Sequence, residues 1–289
     1  MKLIQLIQQG ADQLARAKVA YGHGTQNAHD EATWLILWQL KLPLNLEVTD
    51  TIEVNVAEVP ACLALIEKRI QTRQPAAYLT HEAWLQGIPF YVDERSIVPR
   101  SFIAELIVDG AFDPWLSQNS HAFLDLCTGN GSLAVICAMA YPDISVLAAD
   151  ISQEALAVAQ INVEKHLLTD RIQLLHSDGL GQVKGRFDCI VCNPPYVCQA
   201  SMNALPEEYK AEPTLALAGG ADGMDFVRQL FQDLPDFMND QAILVLEIGN
   251  ERAHFETAFP NLEAVWLETS AGEDQVLLVT RDALMNRLK

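Results

Sequence analysis

Residues 123–140 read "FLDLCTGNGSLAVICAMA", and this stretch decides the fold. It opens as an apolar run of strand character, breaks at Gly129 and Gly131, and resumes as an apolar run suited to a buried helix. A strand leading through a glycine turn into a helix is the opening unit of an α/β sheet. The two glycines let the backbone pass close beneath a ligand while the first amides of the helix face outward toward it. Formally "GNGSLA" satisfies G-x-G-x-x-G/A, a weak pattern that equally allows a dinucleotide.

Beyond it the alternation continues through "SVLAAD", "QEALAVAQINVEKH", "IQLLHS", "FDCIVC", "GMDFVRQLFQDL", "AILVLEI", "AVWLET" and "QVLLVT". That order predicts a mainly parallel sheet with helices on both faces. The last two strands are separated only by "SAGED", which predicts an antiparallel edge pair. Before it, "AWLQGIPFYVDERSIVPR" suits a connecting hairpin around Gly87 and Pro89. From Met1 to about Arg73 the apolar spacing is helical, punctuated by Pro43 and Pro60. The predicted organisation is a helical domain over 1–75, a β-hairpin linker over 76–100 and an α/β domain over 101–289.

Composition narrows the partners. Half of the 289 residues are hydrophobic, enough to fill two cores, and the net charge is −19 from 38 acidic and 19 basic residues. Such a balance repels phosphate backbones and disfavours direct DNA binding, while a basic protein is a suitable partner. The N-terminal run is too short and Gln-rich for a signal peptide, and no window approaches a membrane span. The six cysteines lack a small-domain disulfide spacing and read as reduced thiols of a cytoplasmic protein. Cys189 and Cys192 form a C-x-x-C inside a strand pattern with no second pair, so no metal is expected there.

Successive strand ends carry polar residues where α/β sheets hold ligands. Asp150 ends "SVLAAD", nineteen residues after Gly131, placed to accept from both hydroxyls of a ribose; Ser152 suits the cap of the next helix better. Asp178 follows "IQLLHS" and either accepts from an adenine amino group or merely starts an Asp-Gly turn. The strand "RFDCIVC" then delivers Asn193, Pro194, Pro195 and Tyr196. Two prolines stiffen that exit, and the Asn193 carboxamide oxygen with the Pro194 carbonyl can accept two hydrogen bonds from one –NH2 group. Tyr196 offers a ring face to a planar group. The clamp suits methylation of a planar nitrogen by a sulfonium donor, because two acceptors orient a weak nucleophile and stabilise its growing positive charge.

In "DLCTGNG", "AADIS", "CNPPYV" and the helical domain joined by a hairpin, the chain resembles the HemK-type protein N5-glutamine methyltransferases along essentially its whole length. The resemblance implies S-adenosylmethionine as donor and a class I (Rossmann-like) seven-stranded methyltransferase sheet. It assigns Gly129 and Gly131 to the methionine part of the cofactor, Asp150 to its ribose and Asp178 to its adenine, with Asp125, Thr128 and Asn193 among the cofactor-binding residues. Asn193 and Pro194 then clamp the acceptor amide, with Pro195 and Tyr196 beside it. The stretches "YGHGTQNAHDEATWLILWQLKLPL", "IPFYVDERSIVPRSFIAELI" and "LPEEYKAEPTLALAGGADGMDFVRQL" are similar to the branch that modifies the third protein of the large ribosomal subunit, rather than to the branch acting on release factors. Phe102 departs from the proline usual in that branch. Adenine N6-methylation, which uses a similar turn, and a non-catalytic assembly factor are the competing readings.

Two further segments have simple structural expectations. In "YGHGTQNAHDEA", Asn27 caps a helix with Asp30 and Glu31 in its first turn, and His23 and His29 do not match a closed metal site. "LPEEYKAEP" is expected to loop over the substrate, with Glu207, Glu208 and Glu212 as a solvated face that attracts a basic protein.

Overall fold

The computed structural model describes residues 1–287. Its N-terminal helices are α1 (Leu3–Ala17), α2 (Ala28–Gln39), α3 (Val59–Thr72) and the short α4 (Ala76–Thr80). Leu3, Leu6, Ile7, Ala11 and Leu14 recur at helical spacing in α1 and are buried against Leu35, Ile36 and Ile66 of the next two helices. Asn27 caps α2, its side-chain oxygen accepting from the Asp30 amide at 2.9 Å, and Pro60 sits in the first turn of α3. A hairpin of β1 (Ala83–Leu85) and β2 (Ile88–Phe90) follows, turned by Gln86 and Gly87, both at positive φ.

The rest is one seven-stranded sheet. Along the chain come α5 (Ile103–Val108), β3 (Ala122–Leu126), α6 (Ser132–Ala140), β4 (Ser145–Asp150), α7 (Gln153–Lys165), β5 (Ile172–His176), β6 (Phe187–Cys192), α8 (Gln199–Ala204), α9 (Glu207–Lys210) and α10 (Asp225–Asp233). Then follow β7 (Met238–Glu247), α11 (Arg252–Ala258), β8 (Val265–Thr269), β9 (Gly272–Thr280) and α12 (Arg281–Arg287). The strand order is β5-β4-β3-β6-β7-β9-β8. The first five are parallel, whereas β9 runs antiparallel to both neighbours.

The final pair is therefore antiparallel as the sequence predicts, with the outer place taken by β8. The "SAGED" segment is tighter than a loop: strand β9 already begins at Gly272. Cores fill both faces, and β6 alternates between them, with Cys189 in one and Cys192 in the other. Two thiols on opposite faces of a strand cannot share one ion.

"LPEEYKAEP" corrects an expectation. It contributes the helical turn α9, and Glu208 and Glu212 are buried rather than solvated; only Glu207 faces outward. Oε1 of Glu208 accepts from the Ala20 amide at 3.0 Å and from the guanidinium groups of Arg73 at 3.1 Å and Arg69 at 3.5 Å. Glu212 takes Arg100 in a two-pronged pair at 2.6 and 2.7 Å, accepts from the Val98 amide at 2.9 Å, and lies 3.3 Å from Nε2 of His23. Glu31 is likewise more than a first-turn acid: buried, it holds Arg69 at 2.8 Å. These carboxylates could leave water because each found a cation or several donors, the condition for burying charge. Together they fasten the segment after β6 to the N-terminal helices.

Candidate active site

Strands are added outward on one side of β3 as β4 and β5 and then on its other side from β6 onward, so the parallel neighbours β3 and β6 lie side by side although β4 and β5 intervene in sequence, and a crevice opens at such a switch point. A cavity of about 200 Å3 occupies it, lined by Gly129, Asp150, Ser177, Asp178, Asn193 and Pro195 from the strand ends. Arg95, Ser96 and Ile97 cover it from one side and Pro213, Leu215 and Ala216 from another; Phe226 adds an aromatic wall. A larger groove of about 1050 Å3 lies between Trp38 and Trp84, lined by α2, the loop after it and the start of β1, with no residue of the seven-stranded sheet in its lining.

Asp150 is the organising acid. One of its carboxylate oxygens accepts from the Gly129 amide and the other from the Ser152 amide, each at 2.8 Å. Burial pushes its pKa up, while these backbone donors pull the other way. A carboxylate has about four lone-pair directions, so two acceptors remain for a pair of hydroxyls. Gly129, at φ +56°, has nothing within 4 Å of where a side chain would begin, so the backbone there faces open cavity. Ser152 caps α7 through its hydroxyl, leaving Asp150 free for a ligand.

Asp178 serves in two ways at once. Its carbonyl accepts from the Gly181 amide in a turn, and the exposed residue lines the cavity beside Gly179 and Phe226. Charged acceptor on one side and aromatic ring on the other suit a heterocycle with an amino group.

Other residues of the glycine loop lie behind it. Asp125 is fully buried, accepting from the Thr128 hydroxyl at 2.5 Å and the Ala134 amide at 2.9 Å, and burial pushes its pKa up to about 7. Asp125 and Thr128 thus shape the loop from inside, and neither lines the cavity. At Gly131 a side chain would press on Ala159 of α7 at 3.1 Å, so this glycine serves helix packing.

Asn193 and Pro195 face the cavity, whereas Pro194 is buried. Tyr196 does not line it: its hydroxyl donates to Glu247 at 3.3 Å and its ring lies against Gly249. The ring stacking expected from the sequence gives way to an inward-facing phenol. No motif signalled Arg95–Ile97 or Pro213–Ala216, since the two segments are brought together by Glu212, which binds the Val98 amide and Arg100 far away in sequence. Arg95 is held there by Asp93, with bonds as short as 2.6 Å.

His23, His29, Asp30 and Glu31 do not converge: His23 faces Glu212, Glu31 faces Arg69 and His29 is exposed. Among the described residues, Cys198, Glu251 and His254 bring donor atoms within 4.8 Å of one another, with Glu251 and His254 already bonded together.

A family model described as the methyltransferase small domain matches residues 112–240. A protein of Burkholderia pseudomallei named ribosomal protein uL3 glutamine methyltransferase is 49% identical over 285 residues, covering 95% of this chain and 92% of its own. A protein of the same name from Bordetella pertussis is 49% identical over 286 residues, with 98% and 96% covered. One from Neisseria gonorrhoeae is also 49% identical, with 93% and 91% covered. Among solved structures, the hMettl16 catalytic domain in complex with a MAT2A 3'UTR hairpin has a TM-score of 0.55 at 12% identity, covering 86% of this chain and 89% of that one. That likeness concerns the fold alone.

Proposed function

Since the chain belongs to the ribosomal protein uL3 glutamine methyltransferase family, we propose that it methylates the side-chain amide nitrogen of a glutamine in uL3, with S-adenosylmethionine as donor. The observation that carries this reading is that Asp150 and Asn193 open into one cavity from β4 and β6, the two neighbours of β3. A nucleoside-binding acid and an amide clamp there stand within reach of one small ligand.

The residues fit the donor. Asp150 keeps two free acceptor positions for the ribose, Asp178 and Phe226 receive the adenine, and Gly129 leaves room for the methionine part. When bound, the donor supplies an electrophilic methyl group on sulfur. Asn193 Oδ1 and the Pro194 carbonyl would accept hydrogen bonds from the two N–H groups of the glutamine amide and so orient its nitrogen for transfer. The same two oxygens would stabilise the positive charge that the amide nitrogen gains as it takes the methyl group. One N–H proton then leaves to water. No base of strongly shifted pKa is required.

The net charge of −19 favours a basic protein over nucleic acid as acceptor. With Glu208 and Glu212 buried, attraction falls to other exposed acids, Glu207 included. No described helix is long and apolar enough to cross a membrane; the cytoplasm, where ribosomal proteins are made, is the proposed location.

The test is transfer of labelled methyl from S-adenosylmethionine to purified uL3, to release factors and to DNA in parallel, with the modified residue located by mass spectrometry. Label on a uL3 glutamine is the expected result. Label on release factors alone, or on adenine, overturns the reading.

A further inference from the structure

We propose that Glu247 is a positioning residue that fixes two walls of the acceptor cavity on one carboxylate, with Tyr196 as its arm into the Asn193–Pro195 turn. The proposal rests on the acceptor role given above to that turn. Glu247 is the last residue of β7, paired with Val276 of β9, and is 2% exposed. Its Oε2 accepts from the Ser101 hydroxyl at 2.6 Å and the Phe102 amide at 2.8 Å, and its Oε1 from the Tyr196 hydroxyl at 3.3 Å. Ser101 follows shortly after the cover residues Arg95–Ile97, and Tyr196 comes directly after Pro195 of the floor. Cover and floor therefore share an anchor in the central sheet.

The phenol has no alternative place to go. A side chain starting at Gly249, where φ is +53°, would lie 2.5 Å from Cε2 of the Tyr196 ring. One at Gly219 would lie 2.7 Å from its Cα, and one at Gly223 would run into its carbonyl oxygen. The loop holding Gly219 and Gly223 thus closes on the Tyr196 backbone and Gly249 on its ring, and the hydroxyl is left aimed at Glu247. A buried carboxylate is costly to keep, and burial does push this one upward in pKa; three donors from two loops offset that cost. Sheet packing alone would be served by an apolar residue. The anchor instead suits a site whose rate depends on where the amide nitrogen lies, because a displacement of about 1 Å can cost about 100-fold.

Tyr196→Phe keeps the ring and removes only its link to the carboxylate, and Glu247→Gln keeps the shape while leaving one donor facing an amide –NH2. Each variant is expected to lower kcat about 10-fold or more, with the Kd for S-adenosylmethionine within about 2-fold of wild type. The double variant should be no slower than Glu247→Gln alone, since both changes cut the same link. Amide hydrogen exchange at 101–103 and 196–198 should rise together in Glu247→Gln. Unchanged kcat in both variants, or faster exchange in only one of the two loops, overturns the proposal. If Glu247→Gln does not fold, Tyr196→Phe decides by its kcat and its exchange. If wild type fails to methylate uL3, the functional reading falls, and the exchange result still decides whether the loops share the anchor.

Discussion

The bond between Glu212 and Arg100 invites a quantitative test, because the carboxylate is buried and its partners are few. Burial alone would raise the Glu212 pKa, but the Arg100 guanidinium and His23 bring it from 4.5 down to about 2. An acid held below its unfolded pKa contributes stability that is fully present above that unfolded value and is lost as pH falls through the folded one. At about 1.4 kcal/mol per pH unit, this difference makes Glu212 worth roughly 3 kcal/mol at neutral pH. Breaking a buried ion pair from one side costs about 3–5 kcal/mol, which agrees. Glu212→Gln never carries the charge, so it behaves as a permanently protonated wild type. Urea unfolding of both proteins at pH 7 should differ by roughly 3 kcal/mol, and the gap should narrow from about pH 4.5 and nearly vanish near pH 2. Other carboxylates titrate alike in both proteins and cancel. A gap below about 1 kcal/mol at pH 7, or one that stays constant from pH 5 to pH 3, would refute the ion-pair argument.

Asn193→Ala should lower kcat by about 100- to 1,000-fold while calorimetry finds donor binding nearly intact; a variant retaining much of its activity would sink the clamp. Asp150→Ala removes a charged acceptor and should weaken donor binding by about 1.5–3 kcal/mol, so an unchanged Kd would remove this residue from the ribose site. Asp125 has the opposite sign to Glu212: with its folded pKa raised from 3.8 to about 7, the stability it contributes is present at low pH and drains away as pH rises through that window. Asp125→Asn should therefore gain on wild type between pH 4 and pH 7 in donor-free protein, by at most roughly 4 kcal/mol. Thermal melts showing the variant falling behind as pH rises would mean that the buried carboxylate is ionised.

Much of this architecture was legible because its signals are local. The glycine turn between β3 and α6, Asp150 ending β4 and the Pro-Pro exit from β6 each announce themselves within a few residues, and their order fixes which sheet edge they share. The acids of "LPEEYKAEP" were misread for the converse reason: Glu208 finds Arg69 and Arg73 more than 130 residues away, and Glu212 finds Arg100 across 112. Periodicity cannot show a partner at that distance, so a buried acid and a solvated one look alike. Tyr196 shows the same limit, because the ring lies against Gly249 of a later segment while Gly219 and Gly223 of another loop close on its backbone.

The place of β9 has a consequence for how the molecule is made. It follows all the other described strands in the chain, yet it pairs with β7 on one side and β8 on the other. Until it emerges, the hydrogen-bonding edge of β7 that includes Glu247 stays bare, and β8 has no sheet neighbour at all. The half of the sheet from β5 to β6 can assemble during translation. A chain stopped before Gly272 keeps that half but carries an open, apolar strand edge, the kind that pairs with other copies. The stretch of synthesis between β7 and β9 is thus the one in which that edge lies bare, and the emergence of β9 closes it.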